Sequence, residues 1–236
     1  MHVITGDSHV APLARALRTL NVQKSQCKAH ALGNGNLFAR PFFEDTGEGI
    51  SFTINKITKF NNAFLLGKET FRPAPGRKLG LSLGFYSARI TKNKDWKEHY
   101  IFDGFRCLDA NVPVFSGLLK AIIARDLKYI LEFYQALRKY DLDVFIVPAP
   151  PPSRRLQAIR IGVPPERVME IDRAYLETVT DACTALGFPI LKQPKGYTDE
   201  LGFLKEEFAH EKERDRLHAG QVYALKQAQI VLDYLG

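Results

Sequence analysis

Residues 2–17 read HVITGDSHVAPLARAL. The first four, His2 to Thr5, form a short apolar segment of strand length. Beyond the Gly6-Asp7 turn, Val10, Leu13, Leu17 and Leu20 recur at helical spacing. Pro12 fits the first turn of that helix, where its missing N–H leaves nothing unpaired. Ser8 therefore sits on a turn between a strand and a helix.

The rest of the chain repeats the alternation. A second apolar segment over residues 27–32 ends in GNGN at 33–36, a backbone that can bend sharply. Between about 41 and 77 the pattern changes: Ile50, Phe52 and Ile54 alternate with polar residues between glycine- and proline-rich edges, as in an inserted hairpin or irregular arm. Leu79 to Leu83 reads as a buried strand stopped at Gly84. One long amphipathic helix is expected over 116–140, from Leu119, Ile122, Ile123, Leu127, Ile130, Leu131, Tyr134 and Leu137. DVFIVPAPPP (143–152) is a short strand ended by prolines. A helix over about 172–186, a short strand at 189–191 and a last helix over about 220–235 complete the series. This order predicts an α/β fold, a three-layer sandwich with a mostly parallel central sheet covered by helices on both faces. In such sheets ligands bind beyond the carboxyl ends of the strands. Ser8, the GNGN turn, the segment after Leu83 and the PAPPPSRR loop all follow strands.

At 236 residues and 45% hydrophobic content, the chain supports one large domain over 1–236. Composition excludes a disordered or low-complexity chain. No stretch approaches the roughly 20 apolar residues of a membrane span, and residues 2–5 are too short for a signal-peptide core, so the chain reads as soluble and cytoplasmic. The three cysteines, Cys27, Cys107 and Cys183, are widely spaced and lack metal-ligand pairing, which fits buried thiols in a reducing compartment. The net charge of +7 is spread along the chain without a basic tail, which fits a solvated basic surface; an anionic substrate group is the sharper alternative, and nucleic acid is not expected.

A serine hydroxyl becomes nucleophilic only when a base removes its proton, and that base works best when a third group orients it. Of six histidines, His218 lies in ERDRLHAG with Asp215 three residues before it. That spacing lets one turn carry carboxylate and imidazole together. His9 adjoins Ser8, but neighbours on a turn usually diverge.

Gly6-Asp7-Ser8 and Asp215-Arg216-Leu217-His218 together resemble the first and last blocks of the SGNH, or GDSL, hydrolase family, in residue type, order and distance from the two ends. Tyr197, Asp199 and Gly202-Phe203-Leu204 resemble the approach to the family's last block. The resemblance implies a flavodoxin-like sheet, with Ser8 as nucleophile, His218 as base and Asp215 as its orienting carboxylate. It also implies an oxyanion site made by the serine N–H, a glycine after the second strand and an asparagine after the third. Gly33 or Gly35 fills the glycine's place. The third block reads Gly84-Phe85-Tyr86-Ser87, with Tyr86 where the asparagine belongs, so Asn34, Asn36 and Tyr86 are the candidate replacement donors. Asp7, His9, Arg89 and Arg154 are expected at the substrate, with Arg154 and Arg155 able to clamp an anion or to stand in solvent. The activity implied is hydrolysis of an O-acyl ester of a carbohydrate or small metabolite through an acyl-enzyme, without metal or cofactor. Acyl transfer on the same triad, or ligand binding by a catalytically weakened relative, are the alternatives.

Overall fold

The computed structural model describes residues 2–23, 26–47, 49–54, 76–102, 104 and 112–236. Strand β1 (His2–Gly6) gives way to helix α1 (Val10–Thr19), then β2 (Cys27–Ala31). A 3-10 turn over Gly35–Ala39 precedes β3 (Phe43–Asp45) and β4 (Ile50–Phe52), an antiparallel pair. Next come β5 (Lys78–Ser82), the single turn α2 (Ala88–Thr91), β6 (His99–Phe102) and β7 (Val112–Phe115). The series ends with α3 (Ser116–Arg138), β8 (Asp143–Ile146), α4 (Gln157–Arg160), α5 (Pro165–Ala185) and α6 (Gln221–Leu235).

The central sheet has the order β2-β1-β5-β8, and every pairing in it is parallel. Ile190 adds a parallel bridge to Ile146, the remnant of the strand expected at 189–191. Strand side chains alternate between faces, and the core divides accordingly. Val3, Leu79, Leu81, Val144 and Ile146 join one cluster with Leu127, Tyr134, Tyr175 and Val179 of α3 and α5. Ile4, Phe145 and Val147 join another with Val10, Leu13 and Leu17 of α1 and Ala224, Ala228 and Val231 of α6. Two helical layers thus sandwich the sheet, as the alternation predicted. Emptying either side, for instance by Ile4→Ala, costs about 2–5 kcal/mol.

Three expectations shift. The helix expected over 172–186 begins at Pro165, because its first half buries Arg167 and Asp172, which interrupt the apolar period. The parallel pair of β6 and β7 was not anticipated. Leu20 lies beyond the end of α1 and is exposed. Within the arm at 41–77 the hairpin of β3 and β4 is present, and residues 55–75 lie outside the described set. Cys27 and Cys183 are buried free thiols, pushed up by burial to about 11 and about 12; Cys107 lies outside the described residues. Among the described residues, no helix is long and apolar enough to cross a membrane.

Candidate active site

The turn that carries Ser8 is shaped by a close approach of two strands. A Cβ on Gly6 would meet the Ser82 carbonyl oxygen at 1.9 Å, so only glycine lets the end of β1 lie against the end of β5. The Asp7 N–H donates to the Ser82 carbonyl (3.0 Å), and Asp7 Oδ1 accepts from the His9 N–H (2.9 Å). The Ala11 N–H donates to the Ser8 carbonyl (3.1 Å), starting α1. Ser8 itself is half-buried, and neither its hydroxyl nor its N–H is hydrogen-bonded among the described residues.

The GNGN turn follows β2, pinned by the Leu32 N–H on the Gly6 carbonyl (2.8 Å). Asn34 precedes the 3-10 turn, whose first N–H groups, on Gly35 and Asn36, have no partner within the turn. Arg89 holds this loop from below. Its Nη1 donates to the Gly35 carbonyl, while Nε and Nη2 grip Asp126 of α3 at 3.0 and 2.7 Å. The Tyr175 hydroxyl of α5 donates to the same carboxylate at 2.9 Å. Arg89 therefore lines the cavity wall with its fork already engaged.

After β5 the chain turns at Gly84, whose positive φ of 74° and contact with Ile130 both favour glycine. Tyr86 then lays its ring against His9, centroids 4.2 Å apart. Its hydroxyl is buried and has no hydrogen-bond partner among the described residues. Next to it, Ser87 donates to Asp172 Oδ1 of α5 at 2.6 Å.

Asp215 and His218 meet as their spacing predicted. His218 Nδ1 lies 2.9 and 3.0 Å from the two Asp215 oxygens, and Asp215 Oδ1 also accepts from the His218 N–H at 3.2 Å. Facing a carboxylate, Nδ1 is the donor of this pair, and Nε2 is buried without a hydrogen-bond partner among the described residues. The His218 ring stands 5.0 Å from that of His9, so Tyr86, His9 and His218 form a row of three rings beside Ser8. No hydrogen bond joins Ser8 Oγ to His218. The segment is held by a bridge between Ala209 and Ala219 and by the Gly220 N–H on the Phe208 carbonyl (2.8 Å).

A cavity of ≈ 250 Å³ gathers most of the expected residues: Asp7, Ser8, His9, Asn34, Gly35, Asn36, Tyr86 and Arg89 line it, with Leu217 from the last block. Asp215 and His218 are not among its lining residues, Asp215 lining the adjoining groove; Gly33 does not line it, and a Cβ there would strike Leu37. Arg154 does not either: it is exposed, paired with Asp199 at 2.6 Å and stacked over Phe203. Arg155 is paired with Glu206. Sequence reasoning missed Asp126, Tyr175, Thr91, Gln157 and His210. The imidazole of His210 lies 3.7 Å from Asp215 Oδ2. Asp126 left a readable trace, since it falls three residues after Ile123 and four before Ile130, on the buried side of α3.

Burial sets the electrostatics. It raises the Asp7 carboxyl to about 6, against the opposing His9 N–H and the Arg89 charge. It lowers His9 to about 3, so that ring is neutral near pH 7. At Asp215 burial pushes upward, but the hydrogen bonds from His218 and the backbone outweigh it and hold the carboxyl below its ordinary value. The charge therefore stays on Asp215, where it orients His218.

No known family model matches the sequence, and no curated protein sequence matches it. Solved structures do. The fold is similar to that of a Bacteroides fragilis protein assigned as an acylhydrolase, with TM-score 0.53 and 6% identity over 99% of this chain and 85% of that one. It is also similar to a GDSL-like lipase from Bacteroides thetaiotaomicron, with TM-score 0.52 and 8% identity over 99% and 86%. The chain thus has the α/β fold of the SGNH, or GDSL, hydrolases.

Proposed function

We propose that the chain is a serine esterase that cleaves O-acyl esters of small molecules or carbohydrates. The observation that carries this reading is His218, locked through Nδ1 onto Asp215 with Nε2 unpartnered among the described residues, its ring 5.0 Å from that of His9, the residue after Ser8. The shared fold with an assigned acylhydrolase and a GDSL-like lipase supports it.

In this reaction Ser8 Oγ attacks the ester carbonyl while His218 Nε2 takes its proton. The resulting oxyanion accepts from the Ser8 N–H and from the N–H groups of Gly35 and Asn36, donors that cost no reorganisation at the moment of attack. Collapse of the intermediate breaks the C–O bond to the alcohol, and His218 returns the proton to the leaving oxygen. Water then attacks the acyl-Ser8 ester by the same route, regenerating the serine and releasing the acid. An acceptor alcohol in the place of water would make the same chemistry a transfer.

A fluorophosphonate probe tests the reading. One equivalent should bond to Ser8 in the wild type, with none in Ser8→Ala, and Ser8→Ala should lose hydrolysis of 4-nitrophenyl acetate. Full activity in Ser8→Ala would overturn the proposal. Tyr86 in the asparagine's place, and the unmade bond from Ser8 to His218, favour a second reading in which a ligand is held without turnover; absence of labelling would decide for it.

A further inference from the structure

A second, open groove of ≈ 630 Å³ adjoins the Ser8 cavity and shares two of its walls, Gln157 and Leu217. Arg15 of α1 lines it together with Lys212, Arg214 and Arg216, which flank Asp215 in the last block. The neighbouring cations are engaged: Arg89 by Asp126, Arg154 by Asp199, Arg155 by Glu206. The four groove cations differ, since none makes an ion pair among the described residues. Four cations line the groove against one carboxylate, Asp215, while Glu211 feels the charge of Arg15 and Glu213 is exposed outside the lining. Asp215 is taken up by His218, and Glu211 accepts from the Gln221 N–H at the start of α6 (2.7 Å). Positive charge in a concave surface raises the local concentration of anions, and guanidinium groups match phosphate oxygens in pairs.

From this we infer that the groove seats a phosphate group on the alcohol half of the ester, while the acyl half occupies the smaller cavity at Ser8. The inference rests on the serine-esterase reading for the position of the acyl group, and on the groove alone for the phosphate. A scissile ester at Ser8 then has its acyl chain limited by the smaller cavity and its alcohol directed past Leu217 and Gln157 onto the four cations. The substrate class is an O-acyl ester of a phosphorylated alcohol. Arg154 and Arg155, able to clamp an anion or to stand in solvent, are paired with Asp199 and Glu206, and the anion site falls to Arg15, Lys212, Arg214 and Arg216.

Two measurements test this separately. The first is calorimetric titration of pyrophosphate into the wild type, into Ser8→Ala, and into a Lys212→Glu/Arg214→Glu double variant whose fold is checked by circular dichroism. Wild type and Ser8→Ala should bind alike, with affinity falling as salt rises, and the double variant should bind at least ten-fold more weakly. The second compares 4-nitrophenyl acetate with an acetyl ester of glycerol phosphate. The double variant should lose at least ten-fold more kcat/KM on the phosphorylated ester than on the neutral one. Absent pyrophosphate binding, or binding and selectivity that the double variant leaves unaltered, would overturn the groove assignment. Failure of the serine reading shows differently: neither ester turns over, and pyrophosphate still binds.

Discussion

Arg89 and Asp126 meet as a two-pronged fork, Nη2 to Oδ2 at 2.7 Å and Nε to Oδ1 at 3.0 Å, with side chains only 14% and 15% exposed. Through the same guanidinium, a carboxylate on α3 fixes the carbonyl of Gly35 in the loop above it. The loop's N–H groups therefore point where they do because of a helix on the far side of the arginine.

Removing one member leaves the other buried and uncompensated. Arg89→Ala is expected to lower stability by about 3–5 kcal/mol in urea denaturation. Arg89→Lys retains the charge but cannot hold Asp126 and the Gly35 carbonyl at once. It should recover part of the stability and little of the esterase kcat.

The Asp215–His218 pair makes a kinetic prediction. Asp215→Asn keeps the size of the side chain but removes the charge that fixes the imidazole proton on Nδ1. Hydrolysis of 4-nitrophenyl acetate should fall about 10²- to 10⁴-fold in kcat, with circular dichroism unchanged. A loss confined to KM would count against His218 as the base.

Tyr86 carries a buried hydroxyl with no partner among the described residues, an arrangement that costs about 1–3 kcal/mol. Tyr86→Phe keeps the ring packed on His9 and removes that cost, so urea denaturation should show a more stable protein. Its kcat should stay at the wild-type level. A drop on the order of 10²-fold would instead assign the hydroxyl to the oxyanion.

Asp7 predicts a pH dependence of stability. Its folded pKa is raised from 3.8 to about 6, so the folded state holds the proton more tightly than the unfolded chain. The stabilisation is full below about pH 4 and is lost as pH rises through 6, by about 3 kcal/mol in all. Asp7→Asn retains an acceptor for the His9 N–H and cannot ionise. The stability difference between variant and wild type, measured by denaturation at pH 4 and pH 7.5, should shift by that amount in favour of the variant.

The sheet and most of its helices were legible because their signals are local: Val3 and Ile4 before a turn, and Ile123, Leu127 and Ile130 at helical spacing. The Asp215–His218 pair was legible for the same reason, since one turn of four residues carries both groups. Less visible was whatever depends on distant partners. Arg89 looked like a free cation until Asp126 and Tyr175, on two other helices, were brought beside it. Arg154 looked like a substrate clamp, yet Asp199 lies within its reach. His210 gave no sign, because its approach to Asp215 depends on the Ala209–Ala219 bridge folding the segment back on itself. Pairing across the fold decides which charges are spent, and residue type alone does not record it.

The common core of α1 and α6 gives the chemistry a timing. On the proposed mechanism the Ser8 turn is synthesised before its imidazole, which is carried by the segment that leads into α6. Until that segment is in place the serine has no base to take its proton. Docking of Ala224, Ala228 and Val231 beneath Ile4 and Leu13 is then the event that arms the nucleophile.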